Sequence, residues 1–124
     1  MSSEEQIQQL HSGTGIARAR AATKLGHSGE KLAVTPLIRA LEDKNATVRS
    51  NAAFALGELQ AVSAVPKLIQ LLQDEDQWVR KSAAKALGML RATEAATALQ
   101  QLLSDPSEQV QRNAERSLKQ IKEE

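Results

Sequence analysis

Cysteine and tyrosine are absent from the sequence, and the aromatic residues are one phenylalanine, Phe54, and one tryptophan, Trp78. Without cysteine the chain has no disulfide framework, no thiolate metal site and no thiol nucleophile. No apolar stretch approaches the roughly 20 residues that a membrane-spanning helix needs, and the first residues show neither the basic region nor the apolar run of a secretory signal. We therefore expect a soluble, cytoplasmic protein that does not enter a membrane.

The residues that are present favour helices. The chain has 124 residues, enough for one domain with a buried core, and its 41% of hydrophobic residues are mostly Ala and Leu. No segment shows the alternation of apolar and polar residues that is typical of a half-buried strand. The sequence therefore predicts an all-α protein that forms a single domain over residues 1–124, with a core built from small side chains.

An internal repeat runs through the chain. Residues 48–57, VRSNAAFALG, return at 79–88 as VRKSAAKALG, and the offset from Val48 to Val79 sets a period of 31. Weaker copies lie one period before the first segment and one period after the second. Such a period is the signature of a stacked repeat architecture. The four units fall at about 1–30, 31–61, 62–92 and 93–124, each with the apolar spacing of two helices.

Stacking follows from the small size of these units. Two short helices cannot bury their apolar faces alone, whereas a series of such pairs can bury a continuous core. The four two-helix units are therefore predicted to stack into an α-α superhelix, a short α-solenoid.

The second helix of each unit separates into stripes when its residues are placed at about 100° per residue. One stripe is predicted to pack on the unit's own first helix and holds Val48, Ala52, Ala55, Leu56 and Leu59. A second stripe is predicted to contact the next unit and holds Arg49, Ala53 and Gly57. Its counterparts in the last unit are polar: Gln111, Glu115 and Lys119. Because solenoids need polar ends for solubility, we expect the array to be complete at both ends.

A third stripe, which we call the variable stripe, does not repeat from unit to unit. Packing dictates which residues occupy scaffold positions, so positions that vary are free for another role. We expect stacked second helices to align these positions into one continuous surface. From the first unit to the last, the variable stripe holds Ile16, Ala19, Arg20, Thr23, His27, Thr47, Ser50, Asn51, Phe54, Glu58, Trp78, Lys81, Ser82, Lys85, Met89, Gln109, Arg112, Asn113, Arg116 and Gln120.

The pattern DxxxxVRxxAAxALG, as it stands in residues 74–88, resembles HEAT repeats of the phycobilisome-lyase-like type. The resemblance covers all four units, the first and last least well, and it is specific for the fold rather than for a function. It implies that the second helices line the concave face of the solenoid and that this face binds a partner. It also implies that Asp43 with Arg49, and Asp74 with Arg80, belong to a structural ladder between units. The last unit lacks the arginine of this pattern, and the first lacks the aspartate.

The variable stripe concentrates positive charge and holds both aromatic residues. Five Lys and Arg residues and one Glu give it a net charge of +4, whereas the whole chain carries +1. Two plainer interpretations remain open: the cations can simply solvate exposed helices, and Phe54 can fold back onto the rim of the core. The residues predicted to bind a partner are Asn51, Phe54, Glu58, Trp78, Lys81, Lys85, Met89, Arg112, Asn113 and Arg116.

The predicted function is that of a non-catalytic scaffold or adaptor, a monomer that grips an acidic or mixed apolar and acidic segment of another protein. Nucleic-acid binding along the basic face is an alternative, although a sequence pI near 8.1 is modest for that role. A third alternative follows only from the resemblance, namely an accessory protein in phycobiliprotein or tetrapyrrole handling.

No enzymatic or metal site is expected. The HEAT-repeat hydroxylases that hold a di-iron centre use His-Glu pairs, whereas His11 and His27 are each followed by Ser. Two histidines without cysteine make no metal cage. Residues 13–15, GTG, are interpreted as a turn between helices and not as a phosphate-binding loop. We therefore predict no catalytic residues, no metal and no cofactor.

Overall fold

The computed structural model describes residues 2–122, and Met1, Glu123 and Glu124 lie outside the described residues. Helices and turns account for all the regular structure in residues 2–122, without a strand, which confirms the predicted all-α solenoid. Short 3-10 turns lie at 31–33, 62–64, 93–95 and 102–104. The helices are α1 (Ser3–Ser12), α2 (Gly15–Ser28), α3 (Val34–Ala40), α4 (Ala46–Glu58), α5 (Val65–Leu71), α6 (Gln77–Met89), α7 (Ala96–Gln101) and α8 (Glu108–Lys122).

The helices form four pairs, which are the first to fourth units. In each unit the first helix packs against the second, and the second helices α2, α4, α6 and α8 pack side by side in a row. The core lies between the two rows and includes Leu37, Leu56, Leu68, Leu87 and Leu99, all of which are fully buried. The row of second helices is therefore covered by the first helices on one side and open on the other.

Local sequence signals set both ends of the second helices. Asn45 and Asp76 occupy the N-caps of α4 and α6, where each side-chain oxygen accepts hydrogen bonds from two backbone amides of the first turn. The residues that follow these helices, Gly29, Gln60 and Arg91, stand one period apart and all have left-handed backbone conformations, with φ of 73°, 56° and 51°. Such a residue commonly stops a helix and turns the chain back, here toward the next first helix.

Small residues make the contact between successive second helices, as the sequence predicted for Gly57. A methyl group on Gly57 would lie 3.0 Å from the Cα of Ala86, so α4 and α6 approach each other backbone to backbone. Ala55 is buried, but the prediction that it packs on its own first helix is incomplete, because it also lies against Gly26 of the preceding unit. Close stacking needs a small residue on each of the two helices, and Ala55 supplies the one that faces Gly26.

An arginine–aspartate ladder joins the units at the start of the second helices. Arg18 binds Asp43 through two of its nitrogens, at 2.8 and 3.0 Å. The same two-bond arrangement joins Arg49 to Asp74 at 3.0 and 3.1 Å. It recurs between Arg80 and Asp105 at 2.9 and 3.1 Å.

Each rung runs from one unit to the next, so the ladder lies between units as the resemblance implied, but its pairs differ: Arg49 binds Asp74 and not Asp43, and Arg80 binds Asp105 and not Asp74. Within its own unit, Arg49 donates instead to the backbone carbonyl of Asp43. In the fourth unit, where glutamine replaces the arginine, the Gln111 amide keeps this second bond and donates to the carbonyl of Asp105. The polar residue at the end of the ladder therefore still fixes the turn of its own unit.

The ladder changes the acidity of its carboxyl groups. Burial alone would raise the pKa of Asp43, but the hydrogen bond from Arg18, the amide of Asn45 and the positive charges nearby outweigh it and lower the pKa. Burial alone would also raise the pKa of Asp105. The hydrogen bonds from Arg80 and from the Ser107 amide outweigh burial and lower this pKa. Both aspartates are therefore ionised at neutral pH and hold the units together as carboxylates.

Candidate functional site

The variable stripe lies on the open side of the row of second helices. Its members vary from well exposed to buried: Ile16 is 70% exposed and Trp78 48%, whereas Ala19 is buried. Positions that are one period apart become neighbours on adjacent helices, as Phe54 and Lys85 do. The side chains of all four units thus meet along one face.

Both aromatic rings of the stripe face a lysine ammonium. The Nζ atom of Lys85, on α6, lies 5.1 Å from the centre of the Phe54 ring on α4. The Nζ atom of Lys81 lies 5.3 Å from the centre of the Trp78 ring, one turn away on the same helix. These distances fall within the range of cation–π attraction. Since Phe54 is half-buried and lies next to Lys85, it contributes both to the rim of the stack and to the open face.

Trp78 stands at the edge of the stripe, between two hollows. One hollow lies toward the second unit and includes Thr47, Ser50 and Asp76 in its lining. The other lies toward the fourth unit and includes Arg80 and Pro106. The ring is therefore reachable from both sides, although the backbone of its helix is fixed by the Asp76 cap.

Most cations of the variable stripe have no acidic partner within the described residues. The ion pairs that involve the stripe join His27 to Glu58, at 3.1 Å, and Arg112 to Glu108, at 3.4 Å. Glu58, the one acidic residue of the stripe, therefore lies beside a histidine of the first unit. The stripe cations without an ion pair among residues 2–122 are Arg20, Lys81, Lys85 and Arg116.

Other predicted site residues take part in packing between or within helices. The Asn51 amide donates to the backbone carbonyl of Ala19 at 3.0 Å, across the first interface. Met89 is half-buried, and its sulfur lies close to Gly57. Asn113 is only 7% exposed, and its amide donates to the carbonyl of Gln109 in its own helix. Asn113 therefore offers a partner almost no surface.

A hollow between α2 and α4 was missed by the sequence reasoning. Its lining combines stripe positions of the first two units with three residues that the stripe does not include, Gly15, Lys24 and Asn45. A signal was available, because Ala19, Thr23 and Thr47 are small residues at stripe positions where a later unit carries Lys81, Phe54 and Trp78. Small neighbours on adjacent helices leave space.

Neither a metal-binding cluster nor a membrane-spanning helix is present among the described residues. Among residues 2–122, no three His, Asp or Glu side chains converge in a way that could hold a metal ion. Over the same residues, none of the helices is both long and apolar enough to cross a membrane.

Comparison with known proteins identifies the architecture. A profile of HEAT repeats matches residues 3–68 and 36–119. A search of curated protein sequences found no match. Among solved structures, the chain is similar to one in the complex of CpcE and CpcF of phycocyanin lyase from Nostoc sp. PCC7120, with a TM-score of 0.79 and 30% identity over 100% of this chain and 66% of that one.

Two other structures show the same stacking of helices. Human deoxyhypusine hydroxylase in complex with glycerol matches with a TM-score of 0.78 and 28% identity over 96% of this chain and 43% of that one. A designed armadillo repeat protein matches with a TM-score of 0.72 and 23% identity over 94% of this chain and 63% of that one. The chain thus spans between 43% and 66% of the lengths of these three proteins. With a profile match that extends from residue 3 to residue 119 and four stacked helix pairs, the chain belongs to the HEAT-repeat family.

Proposed function

We propose that the chain is a non-catalytic binding module that grips an acidic, or mixed apolar and acidic, segment of another protein along the variable stripe. The observation that carries this proposal is the position of the only two aromatic rings. Phe54 and Trp78 both lie on the open face of the second helices, and each has a lysine ammonium within 5.3 Å of its ring centre. Such a face offers apolar surface and positive charge together.

The composition of the stripe favours a protein partner. Tryptophan and arginine are among the residue types that dominate binding energy at protein interfaces. The cations Arg20, Lys81, Lys85 and Arg116 lack carboxylate partners within residues 2–122, so a partner's Asp or Glu can pair with them without breaking an existing ion pair. Apolar side chains of the same partner can pack on the Trp78 ring.

The family supports the same role in general terms, because a HEAT-repeat array is consistent with a protein-interaction scaffold. The similar structure from Nostoc is a complex of two chains, CpcE and CpcF. That similarity also favours a second candidate, an accessory role in phycobiliprotein or tetrapyrrole handling. In both cases the variable stripe is the surface that meets the partner.

A peptide selection tests the proposal. Random-peptide phage display on the purified chain is expected to enrich sequences that combine Asp or Glu with apolar residues. The affinity of a selected synthetic peptide is then measured by calorimetry for the wild type and for the double variant Trp78→Ala, Lys85→Glu. We expect the variant to bind at least about tenfold more weakly, a loss of about 1.4 kcal/mol. Its thermal stability should change little, because both side chains are exposed.

A matched control separates the stripe from the rest of the surface. The double variant Val62→Ala, Arg39→Glu also removes one exposed apolar side chain and reverses one exposed cation, but it lies outside the variable stripe. It should bind the peptide as the wild type does. Equal affinity of the wild type and the Trp78→Ala, Lys85→Glu variant would show that the stripe is not the binding surface.

Nucleic-acid binding makes a different prediction. If all five Lys and Arg residues of the stripe met phosphates, the logarithm of the binding constant would fall with the logarithm of salt concentration with a slope of roughly −4 to −5. A binding assay with duplex and single-stranded DNA, begun at low salt and repeated as the salt concentration rises, measures this slope. Absence of binding there removes the nucleic-acid alternative and leaves the protein partner.

A further inference from the structure

The hollow between α2 and α4 has a lining suited to one aliphatic side chain. It measures about 360 Å³, within the range of small ligand sites, and it opens onto the variable stripe. Ile16 forms one wall and, at 70% exposed, is the most exposed of the large hydrophobic residues between 2 and 122. Ala19, Thr23 and Thr47 add methyl groups to the lining.

The hollow exists because of the particular residues that the first two units carry at stripe positions. Thr23 stands where the second unit has Phe54, and Thr47 stands where the third unit has Trp78. Between α4 and α6, where Trp78 replaces the threonine, the equivalent positions line a smaller hollow of about 190 Å³. The wider space between α2 and α4 is therefore a local feature.

Both amide side chains that line the hollow form hydrogen bonds within the stack. The Asn51 amide donates to the carbonyl of Ala19, and the Asn45 side-chain oxygen accepts from the amides of Thr47 and Val48. An apolar occupant leaves these bonds intact. Apolar surface that enters the hollow gains about 25 cal/mol for each square ångström removed from water.

Two cations adjoin this apolar lining. Arg20 and Lys24 are both exposed, and neither forms an ion pair with any residue between 2 and 122. Among the described residues, no acidic side chain lines the hollow. A carboxylate attached close to an aliphatic group therefore finds positive charge at the point where that group enters.

We propose that this hollow is a specificity pocket that takes a leucine-like side chain of the partner segment, and that Arg20 and Lys24 bind a carboxylate next to that side chain. The inference rests on the proposed function, since it assigns part of the partner's chemistry to one end of the variable stripe. The aromatic pair Phe54 and Trp78 then contacts the segment further along. The hollow accordingly selects one kind of residue at one place in the bound segment.

A small probe tests the hollow without a peptide. 4-Methylpentanoate carries the branched end of a leucine side chain and a carboxylate. In a titration followed by NMR of isoleucine methyl groups, it should shift the Ile16 signals with a dissociation constant in the millimolar range, as befits about eight heavy atoms. Acetate, which lacks the branched chain, and 3-methylbutylamine, which replaces the carboxylate by a cation, should each bind at least about tenfold more weakly.

Substitutions separate the apolar and ionic parts of the pocket. Thr23→Phe fills the hollow with the residue that the second unit carries, and Thr47→Trp fills it with the residue of the third unit. Each variant should weaken binding of 4-methylpentanoate by at least about tenfold. Thr47→Trp provides the test if Thr23→Phe does not fold. Arg20→Glu with Lys24→Glu should weaken it about fivefold or more. Arg39→Glu with Lys122→Glu changes the net charge equally and should have no effect.

The outcomes separate this proposal from the function on which it rests. Unchanged binding by both filled variants, or equal binding of 4-methylpentanoate and 3-methylbutylamine, would overturn the pocket. Binding of 4-methylpentanoate needs neither Trp78 nor Lys85. The shift of the Ile16 signals is therefore expected even if the Trp78→Ala, Lys85→Glu variant binds the selected peptide as the wild type does. An absent Ile16 shift together with intact peptide binding would overturn the pocket alone.

Discussion

Arg18, Arg49 and Arg80 each join two units through a planar group that binds a carboxylate with two nitrogens. Exposed ion pairs contribute little to stability, but two-bond pairs with restricted side chains contribute more. The ladder satisfies these conditions, since the carboxylates of Asp43 and Asp105 also accept from backbone amides of their own turns. A single aspartate therefore fixes both a local turn and the contact with the preceding unit.

Asp105→Asn should destabilise the protein by about 2 kcal/mol at neutral pH, because it removes the charge that binds Arg80. The bonds to Arg80 lower the pKa of Asp105 below its ordinary value of 3.8. The stabilisation is therefore complete above that value and is lost as the pH falls through the lower pKa of the folded state. Urea denaturation between neutral pH and about pH 3 should show the difference between wild type and variant shrinking at the acid end.

Asp76→Asn provides the matched control for that experiment. Asp76 caps α6 and binds no arginine in residues 2–122, and asparagine caps a helix about as well as aspartate does. Its effect should be small at every pH. A gap between wild type and Asp105→Asn that stayed constant down to the acid end would contradict the role given to the carboxylate.

At the scale of the helix, Gly57 in the last turn of α4 allows the close approach of α6. Gly57→Val should destabilise the protein by about 2–3 kcal/mol, since even a methyl group would lie 3.0 Å from the Cα of Ala86. Intrinsic helix propensity predicts the opposite sign, because valine favours a helix more than glycine does. The free energy of unfolding in urea therefore distinguishes the two effects, and a stabilised variant would rule out close approach as the reason for the glycine.

The helices and their order could be predicted because their signals are local and repeated. The repeat period, the N-caps at Asn45 and Asp76 and the small contact residues all depend on short stretches of chain. The bond from Asn51 to Ala19 and the bond between Ser50 and Ser82 could not be predicted in this way. Each joins positions that differ by one from the repeat period, so it depends on how far one second helix is displaced along the next.

The candidate site likewise has features that the sequence predicts and features that it does not. The residue types on the open face follow from the helical period, and so does the proximity of positions one repeat apart. The burial of each side chain does not follow from the helical period, because it depends on neighbours in other units. Asn113 is buried, whereas Trp78 at the edge of the row is half exposed. The hollow beside Ile16 depends on the absence of large side chains at several positions at once. Binding of a partner along the stripe stays a prediction.

At the scale of the whole molecule, the main contacts between units in residues 2–122 join neighbours in the row, through the interfaces of α2 with α4, α4 with α6, and α6 with α8. The stability of such an array is approximately the sum of the stabilities of its units and of the interfaces between neighbours. Damage to an interface should therefore have consequences that depend on where it lies. A central interface supports units on both sides, whereas a terminal one supports a single unit at the end.

Hydrogen exchange can separate these cases with two equivalent substitutions. Gly88→Val places a side chain against Ser117 in the last interface, and Gly57→Val places one against Ala86 in the central interface. The first should reduce the protection of amides in α7 and α8 and leave α2 and α4 nearly as slow as in the wild type, because local opening proceeds from the end. The second should reduce protection on both sides of the central interface. Equal loss of protection in α2, α4 and α8 after Gly88→Val would mean that the four units open as one, and that the ladder and the small contacts couple them more strongly than nearest-neighbour stacking requires.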